Sequence, residues 1–374
     1  MIGRVAIAGA LLALVVALFA FKASAKMPDF EVYWRAGERA AAAEPLYRDE
    51  DEHYQLKYLP AFAILAMPAA HLPLPVAKAV WFGMSVALVC GLLALSLTLV
   101  PVRKKPAWML VTITLVVMAK FYGHELVLGQ VNLLLASIVL LAVHASLGGR
   151  PIPAGLLVAL AVVIKPYAVI FVPWLAVRRD IFALASAAVG IACALLLPMV
   201  VYGIGGTVGL HHAWWTTVTE STAPNLLNAD NVSLAAMYAK WLGPHQAAAW
   251  LAVTTGALIL LAAGVMFAVR RRVRSPDGLE ASLLLTLIPL LSPQGWDYVF
   301  LVSTPAIMYL LNYERDLPGP IRVGTIAALA TIAFSLYDVM GRRAYAAFMM
   351  LSVISVCYLV LIASMLTLRL RRIA

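Results

Sequence analysis

The sequence predicts an all-α polytopic membrane protein, a bundle of about ten spanning helices with shorter interfacial or re-entrant helices between them. Three observations predict it. The 374 residues have a mean hydropathy of +0.92 and are 63% hydrophobic and only 12% charged, far more apolar surface than a soluble domain can hide. Apolar runs approach bilayer-spanning length again and again along the chain. The net charge of +10 sits mainly in short Lys/Arg clusters between those runs, a topogenic pattern rather than a nucleic-acid-binding surface.

The apolar runs occupy 3–23, 75–101, 107–119, 130–147, 154–177, 181–202, 246–269, 279–291, 299–311, 321–337 and 344–366, with a shorter one at 59–70. Basic clusters fall at Arg103/Lys104/Lys105, Arg150, Arg178/Arg179, Arg270/Arg271/Arg272/Arg274 and Arg369/Arg371/Arg372. By the positive-inside rule each faces the cytoplasm, as does Arg4. Two runs must then depart from simple crossings. Residues 59–70 would rise only about 18 Å as a helix, short of the roughly 30 Å hydrocarbon core, and read as interfacial or re-entrant. In 154–177, Pro166 disfavours helical geometry at Lys165. Two half-helices meeting there would restore parity, and a Pro-kinked single helix is the alternative.

With those readings both termini are cytoplasmic. A single membrane domain, 1–374, then presents 24–57, 121–130, a long loop at 203–245 and 292–298 on the outer face of the plasma membrane. The start of the chain also resembles a signal peptide with a cleavage site after Ala25. Its apolar run is longer than a usual signal core, which favours an uncleaved first helix. Cys90, Cys193 and Cys357 stand alone in apolar runs, with no zinc or disulfide spacing, and are expected in the core.

No phosphate-binding glycine loop, dinucleotide fingerprint, serine-hydrolase elbow or metal-ligand cluster occurs. What remains is sparse. "MPDFEVYW" at 27–34 sets Asp29 and Glu31 directly after the first apolar run, and ionisable residues near membrane depth are functional candidates by default. Helix capping is the competing explanation for Asp29, and a favourable place at the positive end of a helix dipole for Glu31. Lys165, central in a 24-residue apolar run, requires an anionic partner, either a phosphate or a protein carboxylate. Glu125, Gln130, Asn132, Asn231, Trp296 and Asp297 punctuate the outer segments.

"DFEVYWRAGERAAAAEPLY", "KYLPAFAILAMPAAHLPLPVAKAVW", "GQVNLLLASIVLLA", "AGLLVALAVVIKPYAVIFVPWLAVRR", "NVSL" and "LLSPQGWDY" resemble, in order, the signature segments of glycosyltransferase family 87, over about residues 29–311. The resemblance implies a membrane enzyme of the GT-C superfamily that transfers a sugar, typically mannose, from a polyprenyl phosphate to a glycan or glycolipid hydroxyl on the non-cytoplasmic side. The GT-C catalytic carboxylate matches Asp29. The family's Tyr-x-Pro, Gly-Gln-x-Asn, Lys-Pro and Asn-x-Ser elements match Tyr58–Pro60, Gly129–Asn132, Lys165–Pro166 and Asn231–Ser233. One departure stands out: the late Ser-Pro-x-x-Trp element often continues into histidine, whereas here Asp297 and Tyr298 follow Trp296. Tyr298, Asp297, His124 or His211 would then substitute, or the acceptor differs.

A phosphate is already a good leaving group, so one carboxylate base and one or two cations suffice, unlike the two carboxylates of glycoside hydrolysis. Asp29 is expected as base, with Glu31 and Glu125 as further acidic candidates, and Lys165 as the phosphate partner. Tyr58, His124, Gln130, Asn132, Asn231, Trp296, Asp297 and Tyr298 are expected around sugar or acceptor. No protein-bound metal is indicated by the residues. A lipid or small-molecule transporter is the competing class, since broken helices and intramembrane charge serve both; a non-catalytic subunit of an envelope-polymer assembly is a third reading.

Overall fold

The computed structural model describes residues 16–372; Arg4 and most of the first apolar run lie outside them. Among the described residues the chain is helical throughout, and its one β feature is an isolated antiparallel bridge between Asn231 and Trp296. After a π-helical turn at Phe19–Ala23 come α1 (Pro28–Ala41), α2 (Pro60–Ala70), α3 (Leu74–Thr98), α4 (Ala107–Leu128), α5 (Asn132–Leu147), α6 (Pro151–Ile164), α7 (Phe171–Val177), α8 (Ile181–Leu196) and α9 (Met199–Glu220). Then follow α10 (Leu234–Leu242), α11 (Gln246–Ala268), α12 (Asp277–Leu291), α13 (Thr304–Tyr313), α14 (Gly319–Phe334), α15 (Tyr337–Met340), α16 (Arg342–Met350) and α17 (Val353–Leu370).

Helices α3, α4, α11 and α17 are long and apolar enough to cross a bilayer, and α8 with α9 makes a fifth if the bent pair counts as one span. That is fewer than the ten expected. The remaining apolar runs are broken into helices such as α2, α5, α6 and α14 that are individually too short. The protein is a helical membrane protein whose outer helices present apolar side chains to lipid, as Val253, Leu258, Leu261 and Val265 do on α11. Its centre is α12, the 3₁₀ segment Asp297–Ser303 and α13, whose residues are nearly all buried. Cys357 is buried as expected, but Cys90 and Cys193 are on the exposed surface.

The break at Lys165 is present. Lys165 is extended (φ −143°, ψ 118°) between α6 and a 3₁₀ turn, Pro166–Ile170, so the kinked single helix is not what forms. The 59–70 run makes the 11-residue helix α2, which packs on α1 so closely that a Cβ on Gly37 would meet the Ala66 carbonyl oxygen at 2.7 Å. The 181–202 run is not one straight span: α8 and α9 meet at 86°. Residues 203–245, expected as a long loop, are helical through most of their length in α9 and α10.

Basic clusters distant in sequence assemble at one end. Asp277 pairs with Arg178 and, at 2.6 Å, with Arg270; Glu280 pairs with Arg270 at 3.2 Å and with Arg369 at 3.3 Å. Gly278 backs onto the Leu99 carbonyl, and Lys104 and Lys105 pair with Asp316 and Glu314 beside it. Helix α4 starts at this basic end. Its 22 residues carry the chain about 33 Å to the other, where α1 is anchored by the Met27 N–H donating to the Val127 carbonyl (2.9 Å).

Candidate active site

At that far end Met27 adopts the left-handed conformation (φ 63°), and Pro28 supplies the preset φ of a first helical residue. Met27, not Asp29, therefore occupies the N-cap position of α1. Asp29 and Glu31 follow in the first turn, two residues apart, and side chains at that spacing do not share a helix face. Asp29 lines a cavity of about 190 Å³ together with Tyr58, Gln130, Lys165, Trp296 and Tyr298. Glu31 lies off this cavity and binds Lys78 at 2.6 Å and Arg35 at 3.6 Å. Its charge is spent on holding α1 to α3.

Gly129 ends α4 in the left-handed region (φ 70°), where a Cβ would meet the Phe30 Cβ at 2.7 Å. That tight turn delivers Gln130 and Asn132. Gln130 Oε1 accepts from Tyr33 OH (3.1 Å), whose oxygen is 2.7 Å from Tyr58 OH, and Gln130 Nε2 donates to Tyr298 OH (3.1 Å). The amide thus ties the α1 face, the Tyr58–Pro60 segment and the late Trp-containing segment to one another. Tyr58 stacks on Phe62, ring centroids 4.5 Å apart.

Asn132 does not line the cavity but controls a residue that does. Its Oδ1 accepts from Lys165 Nζ at 2.7 Å, its Nδ2 donates to Glu125 Oε2 at 2.8 Å, and Glu125 Oε1 accepts from the Leu133 N–H at 2.9 Å. Glu125, buried and off the cavity wall, therefore fixes both the start of α5 and the amide that aims Lys165. Among the described residues no carboxylate lies within ion-pair distance of Lys165 Nζ, which sits 5.9 Å from the Tyr58 ring centroid.

Three further expected contact residues, Asn231, Asp297 and His124, also lie off the cavity wall. Asn231 spends its side chain on backbone: Nδ2 donates to the Asn225 and Pro293 carbonyls, and Oδ1 accepts from the Ser233 N–H. It fastens the 225–233 turn to the 293–296 strand-like segment. Asp297 points away from its neighbours Trp296 and Tyr298, into a buried ion pair with Lys120 (2.8 Å), and His124 approaches it at 3.6 Å. Neither His124 nor His211 lines the cavity; His211 Nε2 is 2.9 Å from the Leu195 carbonyl.

Lys57 is a charged cavity residue that the motifs did not single out. It adjoins Tyr58, its backbone carbonyl accepts from Trp214 Nε1 at 3.2 Å, and its ammonium joins that of Lys165 on the wall. Burial lowers its pKa from the ordinary lysine value, and the Asp29 charge opposes that shift. The wall thus combines one carboxylate, two ammonium groups, phenols, amides and an indole, a set suited to holding an anion beside a base. Among the described residues no three His, Cys, Asp or Glu side chains converge as a metal site would require.

No solved structure matches the chain. Over 280 residues it is 27% identical to the polyprenol-phosphate-mannose-dependent alpha-(1-2)-phosphatidylinositol mannoside mannosyltransferase of Mycobacterium tuberculosis (strain ATCC 25618 / H37Rv). That similarity covers 69% of this chain and 62% of the relative, so the chain spans less than two thirds of the relative's length. The pattern of glycosyltransferase family 87 matches residues 56–293, which takes in Lys57, Tyr58, Gln130, Asn132 and Lys165 and stops short of Asp29 and Trp296. With the greater part of its length matched, the chain belongs to glycosyltransferase family 87.

Proposed function

We propose that this protein moves a sugar, mannose by the example of its relative, from a polyprenyl-phosphate donor to a hydroxyl of a glycan or glycolipid. The observation that carries this reading is the shared cavity of Asp29 and Lys165. Asp29 takes the proton from the acceptor hydroxyl as its oxygen attacks the anomeric carbon. The bond from that carbon to the phosphate oxygen breaks with its electron pair on the phosphate, and the centre inverts. Lys165 and Lys57 stabilise the charge that gathers on the departing phosphate. Trp296, Tyr58 and Tyr298 offer the aromatic and hydroxyl surface that sugars pack against. Glu125 and Asn132 act through Lys165 as positioning residues.

The basic end lies at the cytoplasmic face under the positive-inside rule, and the roughly 33 Å length of α4 carries the cavity to the opposite face, where a lipid-borne donor delivers its headgroup. The short apolar helices complete about ten crossings between them. The test is transfer itself. Purified protein supplied with polyprenyl-phosphate-[¹⁴C]mannose and a phosphatidylinositol mannoside should label the acceptor and release polyprenyl phosphate one for one. Movement of the donor across vesicle membranes with no labelled acceptor would replace this reading with a carrier.

A further inference from the structure

Beside the catalytic cavity, and sharing Val32 with it, lies a second hollow of about 500 Å³. It is walled by Lys26, Glu31, Arg35 and Tyr54 and floored by Val127 and Leu128, the last turn of α4. The residues that reach it leave the first apolar run and a spanning helix, so it opens at the level where lipid headgroups meet water.

Its charges are unequal in what they already do. Glu31 is held by the buried Lys78 at 2.6 Å, and Lys78 also donates to the Lys26 carbonyl at 2.7 Å. Arg39, one turn beyond Arg35 on α1, is locked in a two-armed pair with Asp51, which the arginine holds below the usual carboxylate range. Arg35 differs. Its side chain is 55% exposed and reaches Glu31 only at 3.6 Å, and among the described residues the Lys26 ammonium has no ion pair. After Glu31 is balanced by Lys78, two positive charges face a groove with an apolar floor.

We propose that this groove binds the anionic phosphodiester headgroup of a glycolipid acceptor, with Lys26 and Arg35 on the phosphate while its terminal hydroxyl reaches Asp29 past Val32. The inference rests on the glycosyl-transfer reading and specifies its acceptor. An exposed arginine pairs with phosphate through two parallel N–H donors, and Lys26 adds a point charge at the membrane surface. A neutral glycan reaches Asp29 without using the groove.

The test compares Lys26→Gln/Arg35→Gln with wild type on two acceptors, phosphatidylinositol mannoside and an uncharged alkyl mannoside. The ratio of their KM values, anionic over neutral, should rise about tenfold in the double variant, with no change in KM for the donor. Equal effects on both acceptors, or none, overturn the proposal. Equilibrium binding of short-chain phosphatidylinositol mannoside separates this from failure of the enzymatic reading. Binding weakened by the double substitution in a protein that transfers no sugar condemns the reaction and keeps the groove. Undiminished binding condemns the groove. Weakened binding alongside an unchanged KM ratio means that the groove holds bulk lipid, and also overturns the proposal.

Discussion

Two lysines at the same bundle end, the buried Lys120 and the half-buried Lys165, solve the problem of a charge in an apolar setting in opposite ways. Lys120 meets Asp297 directly at 2.8 Å, with both side chains all but inaccessible, 2% and 1% exposed. Its ammonium also lies 4.8 Å from the Tyr345 ring centroid. Lys165 is instead held by an uncharged amide, Asn132 Oδ1, and the balancing carboxylate of Glu125 stands one residue further back. A neutral first partner orients an ammonium without cancelling it. Lys120 is closed; Lys165 faces a cavity and keeps charge available for an incoming anion.

Substitutions can break this contrast at several points. The largest loss is expected from Asp29→Asn, which keeps shape and removes the base: kcat should fall roughly 10²- to 10⁴-fold with donor binding retained, as a single-turnover assay and equilibrium donor binding would show. A kcat near wild type would remove Asp29 from the chemistry. Next comes Lys120→Met, which strands the Asp297 charge and should cost about 3–5 kcal/mol of stability, seen as a lowered Tm in detergent. Adding Asp297→Leu should restore much of it. If the single substitution instead abolished donor binding in a folded protein, the two lysines would not be the opposites described.

Lys165→Met should leave the fold intact and raise donor KM roughly 10- to 100-fold, the worth of a charge-assisted hydrogen bond. Asn132→Leu should do less to the donor, about tenfold, and should affect it only while Lys165 is present. The double variant Asn132→Leu/Lys165→Met therefore should bind donor no more weakly than Lys165→Met alone. The smallest effect concerns pH. Burial lowers the Lys57 pKa, so its ammonium is present at low pH and is lost as pH rises through that lowered value, while a bound phosphate favours the charged form. Donor KM should rise along that alkaline limb, and Lys57→Arg should move the limb upward, because guanidinium stays charged. Lys165 and Tyr58 share the cavity, so a limb that Lys57→Arg leaves in place belongs to one of them.

Much of the architecture was legible because it follows from local chemistry. Pro166 disfavours helical geometry at Lys165, where the chain does turn extended, and 59–70 is too short to cross wherever it packs. The α9 helix was hidden for a related reason: "YGIGGTVG" has the composition of a loop, and Gly203 (φ 65°, ψ −178°) does leave helical geometry there before the chain resumes it. Site residues were legible as a set but not in direction. Trp296, Asp297 and Tyr298 are adjacent in one motif, yet the bridge to Asn231 and the following 3₁₀ turn send Asp297 to Lys120 and its two neighbours to the cavity. Glu125 and Asn132 were read as an acidic candidate and a sugar contact, whereas they form a chain to Lys165, because what they orient lies on another helix. Lys57 was overlooked beside a more conspicuous tyrosine.

The stiffness of α1 has a consequence for product length. Asp29 and Arg35 stand six residues apart on one continuous helix, about 9 Å along its axis. With the phosphate of an acceptor seated at Arg35 and its hydroxyl at Asp29, the helix measures the saccharide between them as a ruler does. On that proposal a product longer by one sugar no longer matches the spacing, and a single unit would be added.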